Sequence, residues 1–319
     1  MSLFERLQTI FMLGAITLGL VGGQSPFISA RAGSLIIPAL MAMLFGLFLS
    51  IPLTNLKKSF FNVKFTVASL SLNFIWVPFL GWVLGGLFLA DHPDLRIGYI
   101  MLLVTPCIDW YLVFTGLAKG NVELSAAILP LNLIIQVILL PVYLFLFTGL
   151  MGYVDFKLLL KSIFLVLIIP FGLAQFFRFL FKDKKRSARW FLSKIFSGGQ
   201  FIFLCLAIAA MFASQAPYLV GNVKIFLLLA PVLLFFGINF LVGRLVAKIL
   251  RFSFEDSVSL NLTTLARNSP ISLAIAVTAF PNEPLIALAL VIGPLIELPF
   301  LAVITQVLLW MYPACEKKN

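Results

Sequence analysis

The sequence predicts an all-α polytopic membrane protein of ten transmembrane helices, arranged as two inverted repeats of five. Composition, the spacing of apolar segments and a recurring polar-proline pair support this fold class. Of the 319 residues, 62% are hydrophobic and 11% are charged, whereas soluble proteins carry about 25% charged residues. A helix needs about 20 mostly apolar residues to cross a bilayer. The chain therefore has material for about ten crossings and none for a separate soluble domain.

Charged clusters and turn residues divide the apolar segments into ten predicted spans. They lie near residues 8–22, 34–53, 65–89, 96–118, 122–149, 156–181, 195–219, 223–248, 256–280 and 284–312. The first segment has the outline of a signal peptide. We expect it to remain as a span, because everything after it is also membrane-embedded.

The positions of the basic residues predict the orientation. An even number of spans leaves both termini on one side of the membrane. With both termini in the cytoplasm, 17 basic residues fall in cytoplasmic segments and 5 in outer segments, as the positive-inside rule requires. We therefore expect a multi-pass protein of the inner (plasma) membrane with cytoplasmic termini. The net charge of +11 then reflects orientation and not a nucleic-acid partner.

A repeated offset predicts an internal duplication. Thr105-Pro106 in span four and Ser269-Pro270 in span nine are 164 residues apart, and prolines in spans five and ten repeat that offset. Asn73 and Asn239, in spans three and eight, are 166 residues apart. An odd number of spans in each half makes the halves inverted relative to the membrane. The predicted repeats are residues 1–155 and 156–319.

The two hydroxyl-proline pairs predict helix breaks in mid-membrane. Ser or Thr caps a free backbone N–H, and proline suits the first helical position because it has no N–H there. The pairs thus predict half-helices that start at Pro106 and Pro270, with their positive ends facing the site between them. Exposed backbone groups at such breaks survive only against protein or a watery cavity. Two simple proline kinks are the alternative.

Three ionisable residues lie deep in apolar segments: Asp109, Arg267 and Glu297. Each costs at least a few kcal/mol in the membrane unless it is paired. Since two of them flank the breaks, we expect a buried network in which at least one carboxylate changes protonation during transport. A static salt bridge that locks the bundle is the alternative.

Cys107 follows the first break directly. A soft thiol suits trivalent arsenic or antimony, although a single membrane cysteine can equally be a small buried apolar residue. The single histidine, His92, lies in a polar loop, and the three cysteines lack metal-ligand spacing. These observations predict a protein with no metal, no cofactor and no enzymatic activity.

Four segments carry a family resemblance: TPCIDWYLVFTGLAKGN, LPLNLIIQ, ARNSPISLAIAV and VIGPLIELPF. They resemble the arsenite efflux permeases of the bile/arsenite/riboflavin transporter superfamily, which also holds the sodium/bile acid symporters. The resemblance implies a sodium/proton antiporter-like fold in which broken helices four and nine cross. It implies a core of spans three to five and eight to ten, and a panel of spans one, two, six and seven. It further implies efflux of arsenite or antimonite in exchange for protons, with Cys107 and Glu297 as functional residues.

The chain departs from this pattern at Asp109 and at Arg267. The fixed positive charge of Arg267 makes sodium coupling less favoured than proton coupling. Arg267 also leaves open a second reading, in which the substrate is a small organic anion whose carboxylate binds there. The residues that we expect to contact the substrate in one or other reading are Thr105, Cys107, Trp110, Asn132, Gln136, Asn268 and Ser269.

Overall fold

The computed structural model describes residues 3–50, 62–107, 110–148, 156–180, 199, 202–214, 216 and 223–316. The described helices are α1 (Leu3–Gly22), α2 (Pro26–Ser50), α3 (Val63–Phe88), α4 (Pro93–Leu103), α5 (Trp110–Leu117), α6 (Val122–Thr148), α7 (Phe156–Ile163, a π-helical turn at Phe164–Ile168, then Ile169–Leu180), α8 (Ile202–Ser214), α9 (Leu229–Ile249, preceded by the 3-10 turn Val223–Leu228), α10 (Phe254–Leu265), α11 (Ser269–Ala279) and α12 (Pro284–Glu316).

The described part of the chain contains five helices that are long and apolar enough to cross a membrane: α2, α3, α6, α9 and α12. Shorter apolar helices lie at Leu13–Gly22, Ile169–Leu180, Ile202–Ser214 and Ser269–Ala279. The chain is thus an all-helical, multi-pass membrane protein. The number of crossings and the division at residue 155 stay predictions.

Local chemistry explains where several helices begin. Asn62 precedes α3, and its side chain accepts a hydrogen bond from the backbone N–H of Phe65 at 3.1 Å. Ser253 caps α10 in the same way, accepting from the N–H of Asp256 at 3.1 Å. Proline occupies the first position of α4, where a missing N–H costs nothing.

The chain divides into two compact units. The first comprises Met1–Ile51, Asp155–Lys224 and Pro270–Ala287, and the second comprises Pro52–Val154, Ile225–Ser269 and Leu288–Asn319. Within the first unit, Gly19 of α1 and Gly23, which directly follows that helix, lie against the backbone of α8 at Ala209 and Ala213. Small residues at this spacing allow two membrane helices to approach closely.

The second unit has a core formed by α3, α6, α9 and α10. Its buried members are Phe65, Ala68, Leu72, Ile128, Ala247 and Leu260. Apart from Pro270, the residues of the predicted site that the structure describes also belong to this unit, so this core is the scaffold on which they are held.

Candidate functional site

Two short non-helical segments interrupt the helices where the hydroxyl-proline pairs lie. The segment 104–107 follows the last residue of α4, Leu103, and α5 begins at Trp110. Residues 266–268 separate the end of α10 at Leu265 from the start of α11 at Ser269. Pro270 therefore lies in the first turn of α11, next to its break.

The two segments pair with each other as a short antiparallel bridge, with Pro106 opposite Arg267. The backbone N–H of Cys107 donates to Ala266 O at 3.0 Å, and that of Asn268 donates to Thr105 O at 2.7 Å. Each break thereby supplies hydrogen-bond partners to the other, which is how open backbone is tolerated at membrane depth.

This pairing corrects the predicted role of Thr105-Pro106. Pro106 is extended and does not start a helix. The Thr105 hydroxyl donates back to Met101 O at 3.0 Å and Leu102 O at 3.2 Å, at the end of α4. The reason is tertiary: the backbone finds its partners in a segment about 160 residues away along the chain.

Arg267 is 2% exposed, and neutral oxygens surround its guanidinium. Nη1 donates to Leu103 O at 2.9 Å, and Nε donates to Leu265 O at 3.2 Å. Nη2 donates to Asn73 Oδ1 at 2.9 Å and also to Thr264 O. The three carbonyls belong to the last residues of α4 and α10, where the helix dipole is negative. Two helix ends therefore stabilise one buried cation.

Glu297, on α12, is 3% exposed and lies beside the two paired segments. Its Oε1 accepts a hydrogen bond from the backbone N–H of Arg267 at 2.8 Å. Two members of the predicted ionisable network are thus brought together. The third, Asp109, lies outside the described residues.

Cys107 is 1% exposed, and its thiol lies close enough to the Arg267 guanidinium to interact with it electrostatically. Asn268 and Ser269 are also buried at the second break. Gly293 of α12 approaches Ser269 so closely that a Cβ on that glycine would lie 3.0 Å from Ser269 Oγ and 2.6 Å from Leu102 Cδ1. A side chain at position 293 would therefore displace that of Leu102.

Asn132 and Gln136 lie on α6 and are fully buried. None of their four amide nitrogen and oxygen atoms has a hydrogen-bond partner among the described residues. Leaving such a group unpaired costs about 1–3 kcal/mol. Trp110 is the first residue of α5, and its side chain lies outside the described part of the structure.

Asn73 and Asn239 were not among the predicted site residues. Asn73 lies in a π-helical turn of α3, Leu72–Trp76, a feature frequent at functional sites. Its Oδ1 binds Arg267, whereas Asn239 Nδ2 donates to Thr264 O. Their matching positions in predicted spans three and eight could have identified them as site residues. The Phe235 ring also lies against the guanidinium, with its centroid 5.6 Å from Arg267 Cζ.

Within the described ranges, no group of three or more His, Cys, Asp or Glu side chains could hold a metal ion. The paired segments bring together a thiol, a buried carboxylate and a fixed cation, and the unpaired amides lie on α6 of the same compact unit. These groups suit recognition of a small solute.

Comparison with known proteins agrees with this chemistry. The chain is 26% identical to the arsenical-resistance protein Acr3 of Corynebacterium glutamicum, covering 98% of this chain and 90% of that protein. It is 23% identical to an uncharacterized transporter of Synechocystis, covering 96% of this chain and 88% of that protein. An uncharacterized protein of Bacillus subtilis, YbaS, is 26% identical over 70% of this chain and 72% of its own length.

The Sodium Bile acid symporter family matches residues 37–222, which is more than half of the chain. That match covers the first break and its thiol, together with the two unpaired amides of α6. The all-helical, apolar fold agrees with a protein that carries solutes across a membrane. The protein therefore belongs to the sodium bile acid symporter family and is a membrane transporter.

Proposed function

We propose that the protein is a secondary active transporter that expels arsenite, or a related trivalent metalloid, in exchange for protons. The similarity to Acr3 extends over nearly the whole chain, so the same solute is the first candidate. Proton exchange is the coupling that the ionisable groups of the site support best.

The position of Cys107 is the main support for this proposal. Its thiol is buried where the two helix breaks pair, next to the cationic Arg267. Sulfur is the ligand that soft elements such as trivalent arsenic prefer. Condensation of the thiol with As(OH)3 forms one S–As bond and releases one water. A single sulfur ligand holds arsenic reversibly, as transport requires.

The geometry favours this reading over transport of a small organic anion. A guanidinium has five N–H donors, and four of those on Arg267 already have acceptors in the protein. A carboxylate substrate would have to displace carbonyl oxygens at two helix ends. Arg267 is therefore better suited to hold the crossing together than to bind an anion.

Glu297 is the carboxylate that we propose to exchange protons, because it is buried and bonded to the break itself. Asp109 is a second candidate by its position in the sequence. The permanent charge of Arg267 supports coupling to protons, since a cation already lies among the oxygens at the two helix ends. Sodium is correspondingly less favoured.

For the architecture we propose ten spans in two inverted repeats, residues 1–155 and 156–319, with crossed broken helices four and nine and cytoplasmic termini in the inner membrane. The compact units support a core and a panel. One unit holds α3–α6, α9, α10 and most of α12, whereas the other holds α1, α2, α7, α8 and most of α11. The second half of span nine is the part that departs from the predicted division.

Arsenite uptake by everted vesicles tests the function. A proton gradient, acid inside, and a sodium gradient are imposed separately. We expect arsenite to accumulate under the proton gradient alone. Accumulation only under the sodium gradient would contradict proton coupling, and no accumulation under either would contradict arsenite transport.

Replacing the thiol tests the site. In the Cys107→Ser variant we expect arsenite uptake to fall by about tenfold or more, equivalent to about 1.4 kcal/mol of lost binding. Cys205→Ser is the matched control, because Cys205 lies on α8 in the other compact unit. Equal uptake by the two variants would remove Cys107 from the binding site.

A further inference from the structure

The two unpaired amides of α6 form a feature that the thiol chemistry does not explain. Asn132 and Gln136 are fully buried, and the polar atoms of both amides lack hydrogen-bond partners among the described residues. Buried polar groups in native proteins are almost always hydrogen-bonded, because an unpaired group is costly. Such a pair is suited to a hydrogen-bonding partner from outside the chain.

The two side chains can meet one ligand. They are four residues apart on a continuous helix, so they share a face and are about 6 Å apart along the helix axis. That spacing matches the size of a small solute. Residues on opposite faces of α6 could not act together in this way.

Hydrogen bonds place Asn132 at the depth of the crossing. Asn121, just before α6, donates from its N–H to Glu255 O at 3.1 Å and accepts from Ser259 Oγ at 2.9 Å. The helices α6 and α10 thus begin at the same level. Asn132 follows Asn121 by eleven residues, a rise of about 16 Å along α6. Leu265, the last residue of α10, follows Glu255 by ten residues, a rise of about 15 Å. Ala266 is the residue whose carbonyl binds the N–H of Cys107.

The chemistry of the amides indicates the class of ligand. Each amide offers an acceptor oxygen and two donor hydrogens, and a hydroxyl group both donates and accepts. An oxyanion only accepts, so it would leave the amide oxygens unpaired in a buried place. A metal cation provides no hydrogen-bond donors. The best match is an uncharged solute with two or more hydroxyl groups.

We propose that Asn132 and Gln136 form a hydroxyl-binding subsite for the uncharged trihydroxides of trivalent elements as a class. The amides would bind the hydroxyl groups, and the Cys107 thiol would select the trihydroxides whose central element binds sulfur. This second part rests on the proposed role of Cys107. Arsenous and boric acids both carry three hydroxyls and no charge near neutral pH, but boron does not bind sulfur. Boric acid therefore probes the amides without the thiol.

The experiment is equilibrium dialysis of the purified full-length protein with boric acid, arsenite or arsenate. The variants are Asn132→Leu, Gln136→Leu and Cys107→Ser. Leucine keeps the size of asparagine and removes its hydrogen bonds. Ser125→Ala is the control, since Ser125 is a buried residue of α6 whose hydroxyl also lacks a partner in the described part of the chain, about 10 Å along the axis from Asn132.

We expect the wild type to bind boric acid weakly, arsenite more tightly and arsenate not at all. Each leucine variant should weaken boric acid and arsenite binding by about tenfold, the effect of one lost hydrogen-bonding group. Cys107→Ser should bind boric acid as the wild type does but should no longer bind arsenite more tightly than boric acid. Ser125→Ala should bind both as the wild type does.

Absence of boric acid binding by the wild type, or undiminished binding by both leucine variants, overturns the subsite. So does misfolding or a lower melting temperature of both ligand-free leucine variants, because amides without protein partners should not hold the fold. Boric acid binding without arsenite binding would instead contradict the proposed arsenite transport and leave the subsite in place.

Discussion

Replacing Glu297 or Arg267 by a neutral residue should measure the attraction between the two charges separately from the hydrogen bond that joins the two residues. The bond joins Glu297 Oε1 to the backbone N–H of Arg267 at 2.8 Å. Glutamine keeps that oxygen, and methionine at position 267 keeps that N–H. The hydrogen bond therefore persists in Glu297→Gln, in Arg267→Met and in the double variant.

The magnitude follows from the length of the arginine side chain. The side chain spans about 6 Å between its backbone nitrogen and its guanidinium, and two opposite charges at about that separation attract by about 3 kcal/mol at an effective dielectric constant of about 20. Each single variant removes the opposite charge from a buried ion, at a cost of up to about 3–5 kcal/mol, although Arg267 keeps its bonds to the two helix ends in Glu297→Gln. The double variant should be about 3 kcal/mol more stable than the sum of the single effects predicts.

Unfolding of the four proteins in mild detergent by titration with a denaturing detergent measures this coupling. The loss of donors to Leu103 O and Asn73 Oδ1 occurs in both Arg267→Met and the double variant, so it cancels in the cycle. Additivity within about 0.5 kcal/mol is the behaviour of independent sites. That result would refute the pairing of the two charges.

Two further predictions concern the scaffold and are measured by thermal unfolding. Gly23→Ala should destabilise the protein by about 1–3 kcal/mol, because the added Cβ would overlap the backbone carbonyl of Ala213. Gly14→Ala is the control: a Cβ there would have nothing within 4 Å, so this variant should stabilise by about 0.5–1 kcal/mol. Equal effects of the two variants would contradict the close approach of α1 to α8. Asn121→Ala should cost about 1–2 kcal/mol, since Asn121 caps α6 and donates to Asp256 at 3.0 Å. Asn121→Asp should restore the cap but not the cross-helix bond, so full recovery would contradict a role for that bond.

The positions of the helix breaks followed from the sequence, but their geometry did not. A hydroxyl residue before proline is a local signal, and both breaks lie at or beside such pairs. The same signal predicted a helix start at Pro106, whereas Pro106 pairs with the segment around Arg267. Capping preferences describe one stretch of chain, and they contain no information about a second open segment that satisfies its backbone.

The partners of the buried charges show the same limit. Burial of Arg267 and Glu297 was predictable, because the surrounding apolar residues allow no other environment. The predicted neighbours of Arg267 were the carboxylates of Asp109 and Glu297. In the structure its guanidinium donates to carbonyls at two helix ends and to Asn73, groups whose availability depends on where the helices stop.

By itself, the sequence determined that this chain lies in a membrane, that two of its helices are interrupted and that few charged residues are buried. These properties depend on composition and on short-range backbone chemistry. Only the tertiary structure decided that the interruptions pair, that Arg267 bridges α4, α10 and Asn73, and that two amides of α6 have no partner in the described chain. Such facts depend on hydrogen bonds between residues up to 194 positions apart, and no local pattern specifies them.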